Sequence, residues 1–497
     1  MFVFQLDVLE QDTLDVLQLI RAWRNRLAPI NQIPPEILTL LPDFWYEHDG
    51  RGKDVIALTH VCRAWREAFT SRPSLWTNIH STDQDKSEVY LERSDPLSIR
   101  LPLRRVHRLS PHDPFFQIIP RAIGRLGYLS VETTPENLQD INAHLSLPAP
   151  LLEMLSIHGG CEDEPHRNPT LPSTLFDDDL SSLRTLCLQS VRTELPWRNM
   201  TNLTSFTLTH TAPGEVSVNH LLDFFENAPS LHKIHLFSAT LTHGTQDRRL
   251  VSLPCLKRMS TTGGDSSSLL LDHLLIPVGA CLTTEVEFPG PPVGGRPPGF
   301  LKNLRNLVNF TSIRLYGDPW YPHMEFRGPN GEVKMTHESP QAHITSLVLN
   351  SLAHFDSSKT EQLEIIGDPL SGNPLYYALL PMNDLRTLTL TRCWDLHTFI
   401  RALYPSTGTP SGIVVCPKLE DLVLDLKRDG EEFNIQDMIG TMEARASRGA
   451  KLRTLRIVDG NSEPKLDRED VLDLRKHAQC VEYGPGGGRF WYSDEED

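Results

Sequence analysis

A chain of 497 residues with a formal net charge of −16 has room for more than one core, and its acid excess argues against a general nucleic-acid binder, which needs a concentrated basic surface. Apolar residues make up 39% of the chain while prolines number 38, a balance that points to many short elements joined by Pro-rich loops. No run of eighteen apolar residues occurs and the opening MFVFQLDVLEQD lacks the basic region and cleavage site of a secretory signal, so no membrane association is expected and the setting is cytoplasmic, nuclear or both. No two of the eight cysteines lie closer than 23 residues, which excludes a Cys-x-x-Cys pair and leaves reduced thiols as the expectation.

Residues from Phe4 to Leu27 read as a helix, with Leu6, Leu9, Leu14, Leu17 and Ile20 as an apolar stripe and Arg21, Arg24 and Arg26 at the end where cations suit the helix dipole. After Pro34-Pro35, Ile33, Ile37, Leu38 and Leu41 fall at helical spacing; Val55, Leu58, Val61, Cys62 and Trp65 repeat it, with Arg63 and Arg66 on the other side. Two such short helices cannot hide all these positions against each other, so one face is expected to await a partner. An all-α module thus spans residues 1–80. A short helix around Val89-Tyr90-Leu91 follows, and Leu97, Ile99 and Leu101 alternate as a first strand.

Within this module, residues 30–79 resemble an F-box. The resemblance is carried by Ile33-Pro34-Pro35-Glu36-Ile37-Leu38, then Val61-Cys62-Arg63-Ala64-Trp65-Arg66, then Pro73-Ser74-Leu75-Trp76-Thr77-Asn78-Ile79, in the family's order. The chain departs from the family in having Ile33 where Leu is usual, and a longer turn at Glu47–Lys53. What the resemblance implies is docking onto the Skp-type adaptor of a cullin–RING ubiquitin ligase, with Ile33, Pro34, Ile37, Leu38, Leu41, Val61, Cys62 and Trp65 supplying the apolar contact.

Beyond residue 81 the informative feature is a repeat. The pattern apolar-x-x-apolar-x-apolar starts at Leu126, Leu152, Leu183, Leu203, Leu231, Leu256, Thr283 (weakly), Phe310, Ile344, Leu385, Leu419 and Leu452, at intervals of 20 to 41 residues. One such strand cannot bury its apolar side alone, whereas stacked units form a parallel sheet over a continuous core. Helix-like stretches such as His220–Glu226 would form the outer layer. The region resembles degenerate leucine-rich repeats; the family's Asn, eight residues after the first Leu, is replaced by Val191, Thr211, Ala239 and Lys427, and only Cys393 fits the permitted alternative. The expected fold is therefore α/β and multidomain: the helical module, an irregular leucine-rich-repeat-like solenoid over 81–492, and an acidic tail over 493–497. Pro289–Gly299 and Trp320–Pro340 read as insertions, the second as an excursion with a hairpin about Pro329-Asn330-Gly331.

No catalytic signature emerges, and neither a metal nor a cofactor is expected. Gly50-Arg51-Gly52-Lys53-Asp54 lacks the first Gly and the hydroxyl of a phosphate loop, and His232 and His235, three apart in a strand, point to opposite faces. A repeat protein without such a constellation reads as a binding protein. Strand alternation turns the third, fifth and seventh residues of each unit to the open face, which nominates Lys233, His235, Phe237, Arg258, Arg314, Tyr316 and Arg456 as target-binding residues. Together with the F-box resemblance this describes a substrate receptor that holds an unknown target protein near the ligase. The alternative is a repeat scaffold unconnected with ubiquitination.

Overall fold

The computed structural model describes residues 2–41, 55–79, 83–106, 114–133, 141–142, 144–159, 168–172, 174–193, 197, 199–242, 249–262, 270–277, 279–285, 310–317, 323–329, 331–336, 357–367, 373–393, 396–405, 413–425, 434–458 and 466–484. The turn at Glu47–Lys53, the Pro289–Gly299 segment, the unit starting at Ile344 and the acidic tail lie outside them. The protein is mixed α/β with a large, mostly parallel sheet, and it divides into two compact units, Met1–Leu203 and Thr204–Asp497.

The first unit opens with α1 (Phe2–Leu27), in which every residue from 7 to 27 is exposed. The short α2 (Pro35–Leu38) begins on prolines, whose missing amides would have had no partner in a first turn. Next come α3 (Val55–Thr59) and α4 (Arg63–Thr70). Helix α4 turns Trp65, Ala68 and Phe69 inward at helical spacing and keeps Arg63 and Glu67 outside as an ion pair 3.4 Å apart. Trp76 is fully buried: its indole N–H donates to the Phe69 carbonyl (2.9 Å), its ring meets Tyr90 edge-on at 5.0 Å, and the Arg93 guanidinium lies 4.4 Å above it. Tyr90 and Arg93 belong to α5 (Gln84–Arg93), which is capped by the Asp83 carboxylate, and the Tyr90 hydroxyl accepts from the Val55 amide at 3.0 Å. Then follow β1 (Ile99–Val106), α6 (Pro114–Ala122), β2 (Leu126–Thr133), β3 (Met154–His158) and β4 (Thr185–Gln189), with all four strands parallel in the order β1-β2-β3-β4. The helical module runs straight into this sheet. The Ile79 amide donates to the Arg100 carbonyl at 2.9 Å and the Arg100 amide to the Thr77 carbonyl at 2.7 Å.

The second unit holds β5 (Ser205–Ser217), α7 (Val218–Glu226), β6 (Lys233–Thr242), β7 (Val251–Ser252), β8 (Arg258–Thr261), β9 (Leu274–Leu275), β10 (Cys281–Glu285), β11 (Ser312–Gly317), β12 (His323–Gly328) and β13 (Gly331–Thr336). It continues through β14 (Gln362–Gly367), α8 (Asn373–Leu379), β15 (Thr387–Thr391), α9 (Leu396–Leu403), β16 (Asp421–Asp425), α10 (Ile435–Ala446), β17 (Leu452–Val458), α11 (Arg468–His477) and β18 (Ala478–Gly484). The main strand order is β5-β6-β8-β10-β13-β12-β11-β14-β15-β16-β17-β18, and only β12 runs against its neighbours. Strands β7 and β9 form a separate parallel pair, and the later helices α8 to α11 pack side by side in sequence.

The repeat is visible atom by atom. In units starting at Leu183, Leu203, Leu231, Leu385 and Leu419 the anchoring Leu is buried, and its amide closes a tight turn onto the carbonyl three residues back. Inward positions alternate with outward ones, as in Leu186 and Leu188 of β4 or Leu388 and Leu390 of β15. Seven residues after the anchor the backbone takes a left-handed turn, at Ser190 (φ 51°), His210 (φ 53°), Ser238 (φ 47°) and Arg392 (φ 54°). The next residue, where the repeat family places Asn, is then buried: Val191, Thr211, Ala239 and Cys393.

Three expectations need correction. Thr283 does not start a unit; it is the middle of β10, whose inward residues are Leu282 and Thr284, with the buried Thr284 hydroxyl accepting from Thr261 at 2.8 Å. A further unit, with no apolar anchor, starts at Thr360. This residue is fully buried, Leu363 and Ile365 of β14 fill the inward positions, and Gly367 supplies the left-handed turn (φ 77°). The hairpin about residues 329–331 exists, yet it is no excursion. Strand β13 pairs in parallel with β10 and β12 antiparallel with β11, so the hairpin completes the sheet.

Candidate interaction surfaces

The residues nominated by the F-box resemblance fall into three sets. Leu38 and Trp65 face inward, Leu38 at 4% and Trp65 at 8% exposure, with the Trp65 ring 5.7 Å from Phe69 and its N–H donating to the Asn31 side chain at 2.5 Å. Their share in any contact surface is small. Pro34, Ile37 and Val61 are exposed, while Ile33, Leu41 and Cys62 are half-buried. Among the described residues, Ile37 and Val61, each 54% exposed, are the large apolar side chains this hairpin presents to solvent. Helix α2 packs on α4, the Arg72 guanidinium donates to the Thr39 hydroxyl (2.6 Å) and that of Arg66 to the Thr59 carbonyl (3.1 Å), so the backbone carrying these side chains is fixed from behind. Beside it, Leu19, Trp23 and Arg26 of α1 face Cys62, Ala64 and Glu67 across an open groove.

All seven nominated target-binding residues lie on the outward face of the second unit's sheet, though the sheet does not gather them. Lys233, His235 and Phe237 of β6 adjoin Arg258 of β8, with Lys233 directly opposite Arg258. Phe237, 38% exposed, lies between His235, stacked at 6.2 Å, and His210, edge-on at 5.4 Å. Arg314 and Tyr316 sit on β11, across three intervening strands from β8, and Arg456 on β17 across three more, so each step is roughly 19 Å at the usual strand spacing.

The charges of these groups differ in a way the sequence did not reveal. Arg314 donates to Glu364 at 2.5 Å and lies 3.5 Å from Glu325, and hydrogen bonding to Glu364 holds its pKa above the usual arginine value. Arg327 reaches Glu325 (3.0 Å) and Glu332 (2.9 Å), and Lys334 adds a second cation at Glu332 and a third at Glu325. Burial alone would raise the Glu332 pKa; the hydrogen bond from Arg327 and the two cations outweigh it and hold the carboxyl below its ordinary range. Arg456 is tied to Glu482 at 2.6 Å. Lys233 and Arg258, by contrast, have no ion-pair partner among the described residues. Cross-strand partners about 11 to 50 residues away in sequence carry this distinction, and only the register brings them together: Arg314 opposite Glu364 and Glu325, Arg456 opposite Glu482.

Among the described residues no group of three or more His, Cys, Asp or Glu is arranged to hold a metal ion, and no helix is long and apolar enough to cross a membrane. No protein-family model matches the chain, and no curated protein matches it.

Proposed function

We propose that the protein is a substrate-receptor subunit of the F-box type: the hairpin of α2 to α4 docks on a Skp-type adaptor of a cullin–RING ubiquitin ligase, and the outward face of a leucine-rich-repeat-like solenoid holds a target protein. The observation that supports this most is the pairing of a braced helical hairpin with uncovered Pro34, Ile37 and Val61 in the same stretch that carries the F-box resemblance. Such a receptor performs no chemistry of its own; it raises the local concentration of target lysines at the ligase. On the target side, Lys233, Arg258 and the half-exposed Phe237 are the groups proposed to engage a partner, because the arginines farther along the sheet are already neutralised.

The second reading, a scaffold that recruits no ligase, draws on the inward packing of Leu38 and Trp65 and on the hydrogen bonds joining Ile79 to β1. The double variant Ile37→Glu/Val61→Glu separates the two. Both side chains are exposed, so the fold should survive, and capture by purified adaptor in a pulldown should fall at least tenfold, as expected for two apolar anchors lost from an interface. Wild-type protein that ignores the adaptor, or a variant that captures it as well as wild type, would remove the receptor reading.

A further inference from the structure

Helix α1 is the least explained element of the first unit. Twenty-six residues long, it leaves Leu9, Val16, Ile20, Trp23 and Leu27 between 55% and 76% exposed. Apart from Thr13 the seam is apolar, and an exposed apolar seam of that length is stable in water only when something covers it.

The spacing says what kind of surface it is. Leu9, Thr13, Val16, Ile20, Trp23 and Leu27 alternate at steps of four and three, which are the a and d positions of a coiled coil. The flanking e and g positions are Glu10 and Asp12 in the first half, Leu17 and Leu19 at the middle, and Arg24 and Arg26 in the second half. None of these four charged residues has an ion-pair partner among the described residues. A basic polar face would suit anionic lipid; this seam is flanked by acid over half its length.

We infer that α1 pairs with α1 of a second copy of this chain, antiparallel and centred on Gln18. In that register Leu9 faces the second copy's Leu27, Thr13 its Trp23, and Val16 its Ile20, so the smaller side chain sits opposite the largest. Glu10 then lies beside Arg24 and Asp12 beside Arg26, twice over by symmetry, and Leu17 and Leu19 meet their own counterparts at the two-fold axis. The parallel arrangement places Glu10 and Asp12 level with their own copies and Arg24 and Arg26 likewise, and it forms none of these pairs. Charge complementarity therefore selects both the occupant and its direction.

Analytical ultracentrifugation of the full-length chain tests this. Wild type should sediment with twice the monomer mass and dissociate on dilution. Glu10→Arg/Asp12→Arg, which sets arginine against arginine in the antiparallel pair, should be monomeric with unchanged helical circular dichroism. Adding Arg24→Glu/Arg26→Glu to that variant restores every pair and should restore the dimer. A wild type that is monomeric at the highest soluble concentration, a first variant that still dimerises, or a fourfold variant that stays monomeric would each overturn the proposal. None of these outcomes depends on adaptor binding, so they are separate from the receptor reading.

Discussion

Arg445 shows how a single residue can organise a region that carries no obvious motif. On α10 it is 1% exposed, yet its guanidinium finds three main-chain acceptors: the carbonyls of Val415 at 2.6 Å, Cys416 at 2.9 Å and Leu403 at 3.4 Å. Leu403 closes α9, and Val415 and Cys416 lie in the irregular segment that enters β16. Burial pulls the Arg445 pKa down from its ordinary value, but that value starts so high that the group stays charged. The fork of N–H groups thus replaces hydrogen bonds that an irregular backbone cannot make to itself. Arg445→Met keeps the length and removes the donors, taking a partner from three carbonyls, of which Cys416 keeps the Leu419 amide; we expect a loss of about 2–4 kcal/mol, read as a shifted denaturation midpoint. Arg445→Lys, with a point charge in place of the fork, should recover only part of it. The sequence could not have marked Arg445, since a basic residue near a helix end ordinarily reads as a solvated one.

At the scale of elements, the repeats were legible where apolar anchors mark them and illegible where the fold substitutes something else. The anchors at Leu183, Leu203, Leu231, Leu385 and Leu419 place their strands to the residue, because buried leucines at fixed offsets are a direct record of which side chains face the core. Strand β14 escaped because Thr360 occupies its anchor position, and the hairpin β12–β13 read as an insertion because antiparallel pairing is not part of the repeat. Strand alternation tells which residues turn outward but not their charge state: pairing between β11, β12 and β14 neutralises Arg314, and register is invisible one strand at a time. The left-handed turn that recurs seven residues after the anchor in five units is the clearest structural sign that those units are equivalent. Ser190, His210, Ser238 and Arg392 adopt it with side chains, whereas Gly367 adopts it where a Cβ would lie 3.1 Å from the Gly317 carbonyl oxygen of the adjacent strand end. Gly367→Ala therefore meets both a backbone penalty and a main-chain contact that cannot swing away. We expect it to cost about 1–2 kcal/mol in urea denaturation, more than the same change would suggest at an open turn.

For the whole molecule, the receptor reading and the pairing of α1 make a joint demand that neither makes alone. Leu19, Trp23 and Arg26 of the α1 seam line the groove shared with α4, whereas Glu10, Asp12, Ile37 and Val61 all lie outside it. Substitutions at these four positions should then act on one surface at a time. Mixed with purified adaptor, wild type should form a complex containing two copies of each protein, measured by light scattering on a sizing column. Glu10→Arg/Asp12→Arg should keep the adaptor and give a complex of half that mass, with one copy of each. Ile37→Glu/Val61→Glu should remain a dimer and elute free of adaptor. Loss of adaptor capture in the first variant would mean that pairing of α1 builds the docking face, and the hairpin could no longer be treated as a preformed site. Loss of the dimer in the second would place Ile37 and Val61 in contact with the other copy. Their exposure would then belong to self-association, and the case for a ligase partner would rest on the sequence resemblance alone.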